Sequence, residues 1–293
     1  MRLETESNDD VGQLEAGLDA LQAEQPGRAT VRWALGKALL PVFALAAIVY
    51  VWQMYIWIVQ PRPDILPGPA DVAAALGSLW GDGAAQETIL TSLERGVLGF
   101  LIAAVIATPA GLLLSQHKGL RAAFGPLISG LQVLPSVAWV PAAIIWFGLT
   151  DATVYFVVLM GAVPSIINGL ISGVDQVPPQ FLRVGHVLGA NRWQQATRII
   201  LPAALPGYIG GLKQGWAFSW RSLMAAEIIT VGGSMGFGLG SLLQQGRDLS
   251  DMAIVVSAIL LILAIGIVIE LLVFAPVERR LLRGRGLLKS GAS

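Results

Sequence analysis

The chain has 293 residues, 55% of them hydrophobic and 13% charged, with equal numbers of acidic and basic side chains and a mean hydropathy of +0.68. A water-soluble domain of this length carries roughly 25% charged residues, so an ordinary soluble globular protein is excluded. Zero net charge means that bulk charge does not suggest nucleic acid, and the absence of cysteine removes disulfides and thiolate metal sites.

In chain order, residues 1–35 form a polar tail, and within 1–24 Glu4, Glu6, Asp9, Asp10, Glu15, Asp19 and Glu24 outweigh Arg2. Such a segment is expected to stay solvated. Val11, Leu14, Leu18 and Leu21 nevertheless recur at helical spacing, which leaves open an amphipathic helix over 9–24 that docks on a partner. The start lacks the basic, then apolar, then small-residue order of a cleaved leader, so the first apolar run is expected to remain as a membrane helix.

Six apolar runs follow, over 38–59, 90–114, 125–147, 153–173, 208–231 and 252–275, each close to the ~20 residues that cross a bilayer. The fold class this predicts is an all-α polytopic membrane protein with six transmembrane helices. With the N-terminus inside, fourteen of the nineteen Lys and Arg fall on the inner side, among them Arg183, Arg192, Arg198, Arg279, Arg280 and Arg283. Only Arg62 and Arg247 fall outside, while Arg95, Lys213 and Arg221 lie in or near the runs. The positive-inside bias then puts both termini in the cytoplasm.

The outer segment 60–88 opens with the proline-rich turn QPRPDILPGPADV and continues into a short helix over 70–80, as a docking surface or a plain connector. Pro109 interrupts the second run, Pro126, Pro135 and Pro141 the third, and Pro164 the fourth. Internal prolines bend helices, and lipid tolerates this where protein or a water-filled cavity satisfies the freed carbonyls. Gly211 with Gly215, and Gly236 with Gly240, suit close helix packing. These features fit a protein that moves something across the bilayer.

Loop 174–207 contains LGANRWQQATRIILP. Gly189 can supply a turn between two short helices. On the second, Trp193, Ala196 and Ile200 share one side while Arg192, Gln195 and Arg198 lie away from it, and Pro202 and Pro206 are expected to end it before the next span. An interfacial helix with basic residues at the headgroups fits the same pattern.

Within the spans, Arg221 falls near the bilayer centre, where a charge is costly and marks a functional candidate. Two readings stand. Its planar fork of donors matches anion oxygens, or it pairs structurally with Glu227 or with proline-freed carbonyls of the third run. Gln132, Ser136 and Trp139 in the third run, Ser165 and Asn168 in the fourth, and Trp220 beside Arg221 either line a polar path or serve helix packing. Arg95 and Lys213 sit near span ends, where snorkelling accounts for them. His117 and His186 occupy separate loops with no carboxylate or second histidine at ligand spacing, which predicts neither a metal site nor a Ser-His-Asp triad. No G-x-x-x-x-G-K-[ST] loop is present, so this chain is not expected to bind ATP.

Gly189, followed by Ile199, Leu201 and Pro202, resembles the closing part of the EAA…G…I.LP loop of bacterial ABC importer permeases. ILPGPADVAAAL (65–76), LPSVAWVPAAIIWFGLTDAT (134–153), LMAAEII (223–229) and VERRLLRGR (277–285) resemble the alkanesulfonate, taurine and nitrate permease subfamily. The similarity covers residues 60–285. It implies a type I importer permease of the bacterial inner membrane, with a permease domain over 36–285 between the 1–35 tail and a C-terminal tail, 286–293. The subunit would be a transport component, not an enzyme, forming the path for a small anion such as an alkanesulfonate, taurine or nitrate.

The implied partners are two ATPase chains that bind ATP and Mg, an extracytoplasmic substrate-binding protein, and a second permease copy. The coupling helix of such a loop sits in a groove of the ATPase, which assigns that contact to Gly189, Ala190, Arg192, Trp193 and Gln194. Glu227 matches the acidic residue of the AE signature, implying an outer-gate or dimer-interface role. One departure stands out: the family's Glu-Ala-Ala falls on Arg183, Val184 and Gly185, a base in place of the acid. The other class considered is an ion-gradient-driven secondary transporter, which should show internal repeats and broken helices about a midplane site; the two halves show no such repeat.

Overall fold

The computed structural model describes residues 31–232 and 236–284, which form only helices, turns and connecting segments. The expected helix over 9–24 and the tail 286–293 lie outside the described residues. Helix α1 (Val31–Val59) belongs to one structural unit and the described chain from Pro61 onward to another. The 29 residues of α1 reach about 43 Å at 1.5 Å per residue. Its stretch Val42–Val59 has a mean hydropathy of 2.0, enough to cross a bilayer.

The second unit runs α2 (Pro69–Gly81), α3 (Ala84–Gln116), α4 (Lys118–Val133), a 3-10 turn (Ser136–Trp139), α5 (Val140–Phe147), α6 (Asp151–Asp175) and α7 (Pro179–Val187). A helical turn (Arg192–Gln194) and a π-helical stretch (Gln195–Ile200) then lead into α8 (Leu201–Ile229). After α9 (Leu239–Asp248) and α10 (Met252–Ile269), a second π-helical stretch (Glu270–Phe274) leads into α11 (Ala275–Gly284). Helix α2 is the short helix expected over 70–80. Pro69 begins it, and the Gly68 amide donates to Asp71 Oδ2 at 2.8 Å. Its Val72 is buried, and the Val72 carbonyl accepts from Ser257 of α10 at 3.4 Å.

Each expected apolar run falls on helix, yet they are not six straight rods. Among the described residues four helical stretches pass for crossings by length and apolarity: Val42–Val59, Ala84–Gln116, Asp151–Asp175 and Met252–Gly284. The third run is broken, and its arms, Lys118–Val133 and Ser136–Phe147, meet at 97°. Leu134 is extended (φ −67°, ψ 126°), as a residue before proline is pushed to be, and Pro135 removes a donor at the corner. Pro109, Pro126 and Pro164 are carried inside α3, α4 and α6 without a break. The fifth run lies in α8, which has the length at 29 residues but carries Lys213, Arg221 and Glu227.

Pro202 and Pro206 do not end the second loop helix. The chain stays helical from Arg192 to Ile229, because Pro202 falls in the first turn of α8, where a missing amide is tolerated, and Pro206 is carried inside the helix.

Helix α6 is central, with Val154, Val158, Ala162, Ile166 and Leu170 fully buried among side chains of α3 and α8. Its seam with α8 is made by glycine. A Cβ on Gly207 would lie 2.6 Å from Gly173 Cα, and one on Gly211 would lie 2.7 Å from Gly169 Cα. Gly215 faces Ile166 and Gly161 faces Ser222 in the same seam. Lipid gives no hydrophobic drive between helices, so such close backbone approach supplies the packing energy. Lys213 is not a snorkelling residue. Its ammonium pairs with Glu270 at 2.7 Å and Glu278 at 3.1 Å, because the π-helical stretch after α10 brings both carboxylates beside α8.

Candidate functional site

The break in the third run leaves a cavity of about 290 Å³, lined by Leu131 to Val137, by Gly161 of α6 and by Phe218, Arg221 and Ala225 of α8. The Arg221 guanidinium lies 4.6 Å over the Phe218 ring, and its Nε donates to the Ala217 carbonyl at 3.2 Å. No carboxylate among the described residues pairs with it. Around the cation, Gln132 Oε1 accepts from Asn168 Nδ2 at 2.6 Å, and the hydroxyls of Ser222 and Ser136 are 2.7 Å apart. The aromatic platform steadies the guanidinium. Arg221 is exposed and the cavity opens to the surface of the single chain, so the guanidinium is accessible to an anion.

The cavity therefore gathers Gln132, Ser136 and Arg221, with Asn168 one hydrogen bond behind. The other residues singled out lie elsewhere. Trp139 packs edge-on against Phe156 with ring centres 6.1 Å apart, and Trp220 stacks on Trp216 at 5.9 Å, both with the main apolar core. Ser165 is fully buried and its hydroxyl has no hydrogen-bond partner among the described residues.

Glu227, 2% exposed, holds the convergence of three other helices. Arg95 of α3 reaches Glu227 Oε1 at 3.2 Å. Ser92 donates to Glu227 Oε2 at 2.7 Å, and the Gly240 amide, in the first turn of α9, donates to the same oxygen at 3.0 Å. Ser92 Oγ in turn accepts from the Leu239 amide at 2.8 Å. The far side of the Arg95 fork meets half-exposed Asp151, the first residue of α6, at 2.7 Å. Gly238 and Gly240 leave the room this requires: a Cβ on the first would collide with the carboxylate, and one on the second would come 2.6 Å from Glu227 Cβ. Arg95 is thus a buried ion-pair partner and not a snorkelling residue, since Glu227 supplies its countercharge inside the bundle. Sequence reasoning missed this pair. The available signal was one basic and one acidic residue, each inside a different apolar run.

The loop between α6 and α8 folds back on itself. Gly189 adopts φ 73°, a left-handed conformation that glycine alone takes without strain. The Ala190 amide then donates to the Gly185 carbonyl at 3.0 Å. Asn191 and Gln194 form a reciprocal cap, with amide-to-side-chain hydrogen bonds of 2.8 and 3.0 Å, which starts the second helix. Gly185 packs against Ile199, so the glycine in place of an alanine makes room for the crossing. Of the three residues expected on one side, Ala196 and Ile200 are buried and Trp193 is exposed. The wider π-helical turn over Gln195–Ile200 shifts the phase and takes Trp193 off their side.

Among the described residues, apolar helices long enough to span a bilayer and a broken helix around a cation without a carboxylate partner fit a membrane permease by class. A family model described as "binding-protein-dependent transport system inner membrane component" matches residues 96–282, and the chain belongs to that family. Similar proteins include the bicarbonate transport system permease of Synechococcus elongatus, 30% identical over 86% of this chain and 92% of its own. The taurine transport system permease of Escherichia coli is 27% identical over 82% and 88%, and the nitrate import permease of a Synechocystis strain is 29% identical over 69% and 75%. The chain is accordingly a multi-pass inner-membrane transport subunit of the ABC importer permeases and not an enzyme.

Proposed function

We propose that this chain forms the translocation path of an ATP-driven importer for a small anion of the alkanesulfonate, taurine, bicarbonate or nitrate kind. The observation that carries the reading is the unpaired Arg221 over Phe218 in the cavity at the helix break; the names of the relatives supply the substrate kind. The cavity lining includes Arg221 and no carboxylate, which favours an anion. Two copies of the chain, two ATPase chains that bind ATP and Mg, and an extracytoplasmic binding protein make up the working assembly. Both termini face the cytoplasm, from the distribution of Lys and Arg. Loop 174–207 meets the ATPase on that side, through Gly189, Ala190, Arg192, Trp193 and Gln194.

Replacing Arg221 with Leu is expected to lower substrate-stimulated uptake into proteoliposomes about tenfold or more, the effect of losing one charge-assisted anion contact, with the ATPase still bound. Loss of the ATPase in that variant would instead make Arg221 a structural residue. Uptake that continues when ATP hydrolysis is blocked would favour an ion-gradient-driven transporter. The broken third run is a feature that class would share, but among the described residues it is the one such break, without the repeat-related counterpart that class needs.

A further inference from the structure

The loop between α6 and α8 has a surface of one sign. From Gln176 to Ala226 the chain contains no acidic residue. Arg183, Arg192 and Arg198 are all exposed, and none pairs with a carboxylate among the described residues, whereas Arg62, Arg95, Arg121 and Lys213 each do. Beside these unpaired cations lies an apolar patch. Val184, Val187 and Leu188 share one face of α7 and its end at i, i+3 and i+4 spacing, and Trp193 stands just beyond the Gly189 turn. Val187 is 87%, Leu188 79% and Trp193 74% exposed.

The most exposed of these side chains, Val187 and Leu188, stand at the turn of a hairpin, because Gly189 folds the chain back onto Gly185 and Ile199. An apolar tip with basic flanks suits a concave protein surface. Phe181, Leu182 and Val184 continue the exposed apolar surface back along α7, a pattern that an anionic lipid surface would also receive and that the vesicle arm of the test below distinguishes.

We propose that the ATPase subunit receiving this loop has an apolar groove rimmed by Asp or Glu side chains that pair with Arg183 and Arg192. This rests on the reading of the loop as the ATPase contact. Apolar anchors at the tip supply affinity, and the charged rim selects the partner and fixes its register.

The test uses the full permease coexpressed with its ATPase subunit and purified in detergent. The double variant Arg183→Glu, Arg192→Glu is expected to retain the ATPase about tenfold less well than wild type at low ionic strength, and raising salt should weaken wild-type retention. Changing the rim carboxylates of the ATPase to Lys should restore retention of the double variant. An unchanged melting temperature, expected for exposed side chains, separates this from misfolding. Equal retention by wild type and the double variant at every salt concentration overturns the acidic rim while leaving the loop as the docking site. Failure of the wild type to retain the ATPase at all overturns the loop's role and the rim with it. Phosphatidylglycerol vesicles bound through these arginines, with ATPase retention unaffected by the double variant, would assign the surface to lipid and also overturn the proposal.

Discussion

Replacing Arg95 with Leu is expected to destabilise the protein by about 3–5 kcal/mol, the usual consequence of stripping one partner from a buried ion pair. Glu227 would keep Ser92 and the Gly240 amide but lose the cation that pairs with it among the described residues, at a position where the side chain is 2% exposed. For a chain of this size each kcal/mol moves the melting temperature by roughly 2–4 °C, so the detergent-solubilised variant should melt on the order of 10 °C lower. Glu227→Gln should be milder, because the amide can still accept from Ser92 and Arg95 retains Asp151. Asp151→Asn removes a half-exposed partner, where an ion pair is worth about 1 kcal/mol or less. A variant Arg95→Leu that melts with the wild type would show that the pair does not hold α3, α8 and α9 together.

Two adjacent glycines on α8 should respond oppositely to the same methyl group. At Gly211 a Cβ would meet backbone atoms of Gly169, at 2.7 Å from Cα and 3.1 Å from the carbonyl carbon. At Gly210 nothing lies within 4 Å. Backbone cannot rotate away as a side chain can, so Gly211→Ala must part α6 from α8, with an expected loss of about 1–3 kcal/mol. Gly210→Ala should be neutral or stabilising by up to about 1 kcal/mol, since alanine is the better helix former. Melting curves of the two variants side by side decide the matter, and equal effects would remove the seam from the account of stability.

The sequence announced the parts governed by local rules. Apolar runs, the α2 start at Pro69, the turn at Gly189 and the close packing at Gly211 all depend on residues near one another in the chain or on composition. What it hid depends on distance. Arg95 and Glu227 are far apart in sequence, and nothing local says that two charges on different helices will meet inside the bundle. Lys213 likewise needs Glu270 and Glu278 from a segment that passes alongside only after folding. The prolines were visible, but not which one would break its helix. Pro109, Pro126 and Pro164 are absorbed, while Pro135 alone sits between two arms at 97°. Of the site, Gln132, Ser136 and Arg221 could be picked out as polar residues in apolar runs, whereas Trp139 and Trp220, chosen on the same grounds, belong to the core.

The unbroken helix from Arg192 to Ile229 has a mechanical corollary. It is clamped near its far end, where Glu227 is held from three sides, and open at its near end, where Trp193 protrudes. At 1.5 Å per residue Trp193 lies about 51 Å from that clamp and Arg221 about 9 Å. Because the glycine seam ties α8 to α6 between those points, a 6 Å swing at the open end about the Glu227 clamp carries α6 with it and displaces the guanidinium by about 1 Å, a roughly sixfold reduction. Such a reduction turns a large, imprecise stroke into a fine adjustment at the cavity.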